Sequence, residues 1–354
     1  PENLFAGISG TPEISMFYRT FNGCSGLTGS IPENLFAGIS GKPASSMFER
    51  TFYGCSGLTG TIPENLFGNI SGAPASAMFF RTFYDCSNLS GTIPENLFAG
   101  ISGAPASSMF YSTFYGCSGL TGSIPENLFA GISGTPASYM FDSTFSGCSG
   151  LTGSIPENLF AGISGTPAED MFSSTFYNCS GLTGSIPENL FGNISGTPAS
   201  YMFNDTFYGC SGLTGSIPEN LFAGISGAPA SYMFYGTFED CSGLTGSIPA
   251  NLFGNISGAP ASYMFQYTFS GCRGLTGTIP ENLFAGISGK PASSMFSSTF
   301  SGCSGLTGTI PENLFAGISG APAGSMFSST FNGCSGLTGT IPENLFAGIS
   351  GAPA

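Results

Sequence analysis

The chain has 354 residues, of which only 7% are charged, and its formal net charge is −14, with 6 Lys and Arg against 20 Asp and Glu. It contains no His, which removes the usual general base and metal ligand, and six cations cannot neutralise a nucleic-acid backbone. No apolar run approaches the roughly 20 residues of a membrane-spanning helix. We therefore expect no metal or other cofactor, no nucleic-acid partner and no membrane span.

An internal repeat dominates the sequence. The 11 Cys are spaced by 31 residues throughout, so the chain holds eleven repeats and 13 residues of a twelfth. The first repeat reads PENLFAGISGTPEISMFYRTFNGCSGLTGSI, and we number its positions 1 to 31 from Pro1. Such repeats form solenoids, in which each coil buries its apolar side chains against the next. We expect residues 1–354 to form one continuous solenoid and, since both ends fall inside a repeat, to be an excerpt of a longer array.

Three elements are predicted in each coil. Positions 1 to 8, PENLFAGI, are predicted to form a short helix or helical turn, with a capping box such as Ser30 to Glu33 at its start. After a loop, positions 11 to 24 favour a second helix, because constant positions 16, 17, 20, 21 and 24 share one side of it. Positions 27 to 31, LTGSI, favour a strand. The predicted fold class is an α/β repeat, a solenoid with one short parallel strand and one or two short helices per coil.

Composition separates an inner side of the coil from an outer one. Positions 5, 17 and 21 hold 34 of the 35 Phe, whereas all 13 Tyr lie at positions 15, 18, 19 and 22, where the repeat varies. A buried Tyr hydroxyl needs a partner and Phe does not, so we predict buried Phe ladders and a solvent-facing Tyr side. Tyr among small polar residues is typical of a paratope. The candidate partner-contact face comprises Tyr18, Tyr111, Tyr139, Tyr201, Tyr232, Tyr235, Tyr263 and Tyr267 with a basic stripe of Arg19, Arg50 and Arg81.

The stretch MFxxTFxGCSGLTG resembles the BspA-like leucine-rich repeats of bacterial surface proteins, with Phe21, Cys24 and Leu27 at the matching places in every repeat. LTGSIP followed by xxL is similar to the L-x-G-x-I-P-x-x-L stretch of plant-type leucine-rich repeats. This coil is longer than the usual twenty-odd residues. The resemblance implies a leucine-rich-repeat-like solenoid from a cell-surface or secreted bacterial protein that binds other cells or host molecules, without catalytic residues.

The Cys column has three interpretations: a metal string, a chain of disulfides or a buried stack of thiols. Without His or a second Cys in any repeat, zinc spacing is missing. Parallel Cβ vectors on stacked coils suit a disulfide poorly. We favour free, buried thiols that pack as small apolar groups. This structural ladder comprises Cys24, Cys55, Cys86, Cys117, Cys148, Cys179, Cys210, Cys241, Cys272, Cys303 and Cys334.

Polar rows have competing interpretations as well. Glu at position 2 either caps its own helix, which we favour, or collects calcium. Asn at position 3, constant from Asn3 to Asn344, is predicted to form a buried ladder bonding the backbone of adjacent coils, with a sugar-binding row as the alternative. Thr and Ser at positions 28 and 30 suit the solvent side of a strand, or an ice-binding face. The Asn-x-Ser/Thr tripeptides, for example at Asn69 and Asn88, are weak glycosylation signals.

Function is therefore expected to be non-enzymatic, because no general base recurs beside the many Ser: Lys42 and Lys290 are the only Lys. A uniform repeat predicts a structural element, a self-associating stalk or filament, and the resemblance implies an extracellular or cell-surface location and the role of an adhesin. The variable face predicts, as the alternative, recognition of a host or cell-surface protein or a glycan. Ice binding by the Thr-Gly-Thr/Ser ladder is a remote alternative.

Overall fold

A computed structural model describes residues 4, 5 and 7–352. It comprises two compact units, Pro1–Gly165 with Ser174–Thr183, and Thr166–Ser173 with Gly184–Ala354. Within each unit the repeats stack as successive coils of a solenoid, since parallel pairing and hydrogen bonds join each coil to the next. The prediction of a repeat solenoid is confirmed at this level.

Parallel pairing between coils occurs at two places in the repeat. Gly10 at position 10 pairs with Ile39 at position 8 of the next coil, and Gly29 at position 29 pairs with Leu58 at position 27. Both are isolated bridges, and the described residues contain no longer strand. The predicted strand at positions 27 to 31 is thus reduced to single bridges. The reason is the positive φ of its central glycine, 87° at Gly29, which interrupts the extended backbone.

The predicted second helix is wrong, because none of the described residues is helical. Positions 13 to 23 form a run of tight turns in which a positive φ recurs at every fourth residue. In the first coil φ is 55° at Ser15 and Arg19 and 74° at Gly23. Every residue of a right-handed helix has a negative φ, so this backbone cannot be helical.

The amides of this turn segment alternate between two kinds of partner. At even positions the N–H donates to the carbonyl three residues earlier, as from Tyr18 to Ser15 at 3.0 Å. At odd positions it donates to the next coil, as from Phe17 to Met47 and from Phe21 to Thr51, both at 2.8 Å. An α-helix would use every N–H within the segment. Here about half of the N–H groups bond the next coil instead, so hydrogen bonds between coils take the place of helical ones.

The predicted first helix, at positions 1 to 8, is also replaced by overlapping turns. The N–H groups of Leu35 and Ile39 donate to the carbonyls of Pro32 and Phe36, three residues earlier, at 3.2 and 3.0 Å. With no helix in the described part of the chain, the Ser-x-x-Glu box caps none.

The core consists of the constant apolar positions, as predicted. Phe48 and Phe79 at position 17 are fully buried and stack with centroids 5.7 Å apart and planes 3° apart. Phe67 at position 5 tilts against Phe79 at 4.8 Å and 50°. Positions 16, 17, 20, 21 and 24 fall on one side because a period of four residues, like the helical 3.6, returns them there. The predicted helix is therefore wrong, but it places the same residues in the core as the turns do.

The Thr of position 20 is a polar residue inside this core in every coil from Thr51 to Thr330. Thr144 is 0% exposed, and its Oγ1 donates to the carbonyl of Phe141 at 2.8 Å and to that of Phe110, one coil earlier, at 3.0 Å. The hydroxyl thus joins a turn of its own coil to the preceding coil, which explains why a polar side chain is constant here.

Candidate functional site

The variable positions 15, 18, 19 and 22 form one contiguous surface along the turn segment of each unit. In the first unit the guanidinium of Arg81 lies over the rings of Tyr84 and Tyr111, and Tyr111 approaches Tyr139 with centroids 6.4 Å apart. These residues come from positions 19, 22, 18 and 15. A helix was predicted to bring these positions to one side, and the four-residue period of the turns produces the same grouping.

In the second unit this surface carries a column of stacked tyrosines. The ring centroids of Tyr201 and Tyr232 lie 4.5 Å apart and those of Tyr232 and Tyr263 lie 4.4 Å apart, with ring planes within 13° of parallel. Beside them Tyr235 and Tyr267 meet edge to face at 5.5 Å. Because the stacked rings cover each other's faces, the column presents ring edges and hydroxyls outward. Desolvation raises the pKa of Tyr232, so its hydroxyl is protonated and can donate a hydrogen bond.

A second Tyr column in the first unit was not among the candidates. The rings of Tyr53, Tyr84 and Tyr115 stack, with centroids 4.6 Å apart for the first pair and 4.4 Å apart for the second. The signal was visible in the sequence, because Tyr occupies position 22 in three consecutive repeats. Phe80, the single Phe outside the three Phe positions, also lies on this surface and stacks on Tyr111 at 4.7 Å.

The basic stripe lies against these aromatic rings. The Cζ atoms of Arg19, Arg50 and Arg81 lie 4.9, 5.3 and 5.1 Å from the centroids of neighbouring rings. A guanidinium stacked on a ring keeps its N–H donors in its own plane, where they can still meet a carboxylate. Arg50 also forms an ion pair with Glu49, with 3.9 Å between Nη1 and Oε1. Within the described chain, the Nε of Arg81 is buried without a hydrogen-bond partner.

The same surface in the second unit holds two half-buried carboxyl groups, those of Asp205 and Glu239. Asp205 occupies the space left by Gly236 one coil later, where a Cβ would collide with its Oδ1. Burial raises the pKa of Asp205 to about 7. Burial, together with the charges of Asp205 and Asp240, raises the pKa of Glu239 to about 8. Burial likewise raises the pKa of Tyr235 to about 12, so at neutral pH Tyr235 is protonated, Glu239 is mostly protonated and Asp205 is about half protonated.

The Cys ladder is a stack of free thiols, nine of them buried; Cys24 and Cys334 are half-buried, so the expectation of complete burial is corrected at these two. Thiols of this ladder donate to the position 21 carbonyl of the preceding coil, as Cys117 Sγ does to Phe83 O at 2.9 Å. Burial raises the pKa of Cys117 well above its usual value and that of Cys334 to about 11. These thiols are therefore protonated hydrogen-bond donors within the core.

The Glu and Asn rows differ from the prediction. Asn at position 3 is exposed, and its amide donates to the Glu of the preceding coil: Asn127 Nδ2 lies 3.0 Å from Glu95 Oε1, and Asn313 Nδ2 lies 2.8 Å from Glu281 Oε1. The expected buried ladder does not form, because this segment turns rather than forming a helix and leaves positions 2 and 3 outside. Asn3 itself lies outside the described residues.

The Thr/Ser ladder of positions 28 and 30 is exposed, as predicted for Thr152 and Ser154 among others. In two of the Asn-x-Ser/Thr tripeptides the Asn side chain bonds the backbone of the preceding coil. Asn69 Nδ2 donates to Ala37 O at 2.8 Å, and Asn88 Nδ2 donates to Ser56 O at 2.6 Å.

Among residues 4, 5 and 7–352, no three His, Cys, Asp or Glu side chains converge in a group that could hold a metal ion. The same residues include no helix that could cross a membrane.

No protein-family model and no curated protein matches the chain. Among solved structures it is similar to a TDR receptor, at 19% identity over 88% of this chain and 63% of that one, with a TM-score of 0.17. It is also similar, at 15% identity and a TM-score of 0.13, to the Arabidopsis receptor kinase HAESA in complex with the peptide hormone IDA and the co-receptor SERK1, over 83% of this chain and 73% of that one. The chain thus spans less than two thirds of the length of the TDR receptor chain.

Proposed function

We propose that this chain is a non-enzymatic extracellular or cell-surface repeat protein of bacterial type. It acts as a structural element, a stalk or filament, and/or as an adhesin. The BspA-like resemblance of every repeat supports the location and the bacterial origin. The hydrogen bonding of each coil to the next supports a mechanical role, because tension along the stack is distributed over equivalent bonds in every coil.

The observation that carries the proposal is the contiguous aromatic surface of positions 15, 18, 19 and 22. The constant positions 16, 17, 21 and 24 of the turn segment form the core, whereas all 13 Tyr lie at the variable positions 15, 18, 19 and 22 on this side. Tyr columns give large contact areas with little loss of side-chain entropy, and aromatic residues often dominate binding energy. The alternative function, recognition of a protein or glycan ligand, would use the same Tyr/Ser-rich surface.

The experiment replaces Tyr201, Tyr232 and Tyr263 together with Ser. Ser294 and Ser325 occupy the same position with φ of 52° and 54°, close to the 58° to 62° of the three Tyr, so the backbone accommodates the change. We expect unchanged unfolding and at least tenfold weaker binding to cells, glycans or neighbouring filaments.

The matched control replaces the exposed Thr214, Thr245 and Thr276 of position 28 with Ala. Electron microscopy and cell-binding assays compare both variants with the wild type. Loss of assembly or binding in the Thr variant alone would place the functional face on the Thr/Ser ladder. Suppression of ice recrystallisation by the wild type but not by this variant would then favour ice binding.

A further inference from the structure

The arginine stripe and an acidic groove have matching chemistry and spacing. We propose that Arg19, Arg50 and Arg81 of one copy dock into a groove of a second copy lined by Glu281, Glu312 and Glu343. This inference rests on the self-association in the proposed function, and it identifies the two surfaces that meet.

The stripe is suited to carboxylates. Three of the six cations of the chain lie at position 19 of three consecutive coils, in a protein whose net charge is −14. Their guanidinium faces rest on aromatic rings, which leaves N–H donors in the guanidinium plane for a carboxylate. Glu49 Oε1 lies 3.9 Å from Arg50 Nη1, beyond hydrogen-bond distance.

The groove is suited to guanidinium groups. It has a volume of about 660 Å³ and is lined on successive coils by Thr278, Thr309 and Thr340 and by the three glutamates. Asn313 and Asn344 each donate to one oxygen of Glu281 and Glu312, at 2.8 and 2.7 Å. These bonds hold the carboxylates in place and leave their second oxygens for a partner.

The spacing of the two rows agrees. Beneath the stripe the ring centroids of Phe17, Phe48 and Phe79 are 5.5 and 5.7 Å apart. Beneath the groove those of Phe284, Phe315 and Phe346 are 6.3 and 6.0 Å apart. These two Phe ladders differ by about one ångström over three coils, a mismatch in coil spacing that flexible Arg and Glu side chains can absorb. Since two copies repel through most of their acidic surface, the stripe is where a second copy can approach favourably.

Stripe and groove are different surfaces, so the contact is heterologous and each bound copy still offers one free surface. The test uses two variants of the whole chain. R19S/R50S/R81S removes the stripe, and Ser112 and Ser143 already occupy position 19 with φ of 50° and 55°. E281Q/E312Q/E343Q removes the groove charges while keeping an acceptor oxygen for the Asn amides. E95Q/E126Q/E157Q, from the same row in the first unit, is the matched control.

Analytical ultracentrifugation should show open-ended association of the wild type and of the control, weakened by salt. Each of the other two variants should associate at least tenfold more weakly alone. Mixed together they should form a one-to-one complex, because each retains the surface that the other lacks.

A wild type that is monomeric at all concentrations, variants that associate like the wild type, or a mixture without a complex would overturn the inference. Loss of assembly or binding in the Tyr201/Tyr232/Tyr263 variant, with assembly unchanged in the Arg and Glu variants, would also overturn it. That last result would leave the proposed function in place.

Discussion

The buried Thr of position 20 allows a sharp test of how the coils are joined. In Thr144→Val the side chain keeps its shape and loses the hydroxyl that bonds Phe141 and Phe110. Both carbonyls keep a backbone partner, from Thr144 N and Thr113 N, each at 3.1 Å. Neither carbonyl is orphaned, so the cost is that of one net hydrogen bond, about 1 kcal/mol, rather than a full desolvation penalty.

Two companion variants separate bonding from packing. Thr144→Ser keeps the hydroxyl and removes one methyl, which costs about 1 kcal/mol at a fully buried site, and Thr144→Ala loses both, about 2 kcal/mol. Thr152→Val, on the exposed Thr/Ser ladder, should stay within about 0.5 kcal/mol of the wild type. Urea unfolding followed by circular dichroism measures all four, compared at unchanged m. A Val variant as stable as the wild type would refute the idea that this hydroxyl joins neighbouring coils.

Three further outcomes are expected. At pH 8 a thiol reagent should label Cys24 and Cys334 slowly and the nine buried thiols only after unfolding, since burial raises the pKa of Cys117 and its neighbours; rapid labelling of all eleven would contradict this. Asp205 and Glu239 both bind their protons more tightly in the folded chain, so the free energy of unfolding should fall from pH 4 to pH 8; Asp205, with a pKa of about 7 against an ordinary 3.8, contributes up to roughly 4 kcal/mol of this fall. Asp205→Ser should make the fall smaller and leave the part due to Glu239, and pH melts with an unchanged fall would exclude Asp205 as a contributor. Deleting residues 87–117, one whole coil, should keep cooperative unfolding, whereas deleting three residues within a coil should abolish it, because the ladders lose register.

The inner and outer sides of the coil could be predicted because they depend only on which positions recur together. Phe48 and Phe52 had to be buried with Cys55 whether the period was 3.6 or four residues. The backbone itself could not be identified in this way. Position 23 did carry a signal, since it holds only Gly, Asp or Asn, the residues that tolerate positive φ best, but such residues are equally typical of the end of a helix.

Positions 15 and 19 carried no such signal. They include Tyr201, Arg50 and Ser112, for which a positive φ costs about 1 to 2 kcal/mol. Hydrogen bonds to the next coil compensate for this cost, and such bonds cannot be predicted from the residues of one segment alone. The prediction of a buried Asn row failed for the same reason, because the exposed Asn127–Glu95 hydrogen bond is a contact between coils.

The alternating amides also give each coil a direction. In the turn segment the N–H groups of positions 15, 17, 19, 21 and 23 all donate toward the following coil, as from Phe203 to Met233 at 3.1 Å. One edge of this segment is thus a row of donors and the other a row of acceptors, with peptide dipoles aligned along the stack as they are in a helix, though with the opposite sense. A coil inserted upside down would set N–H against N–H. Any coil added to such a stack must therefore enter with the same polarity, and a head-to-head junction between turn segments is excluded by the backbone alone.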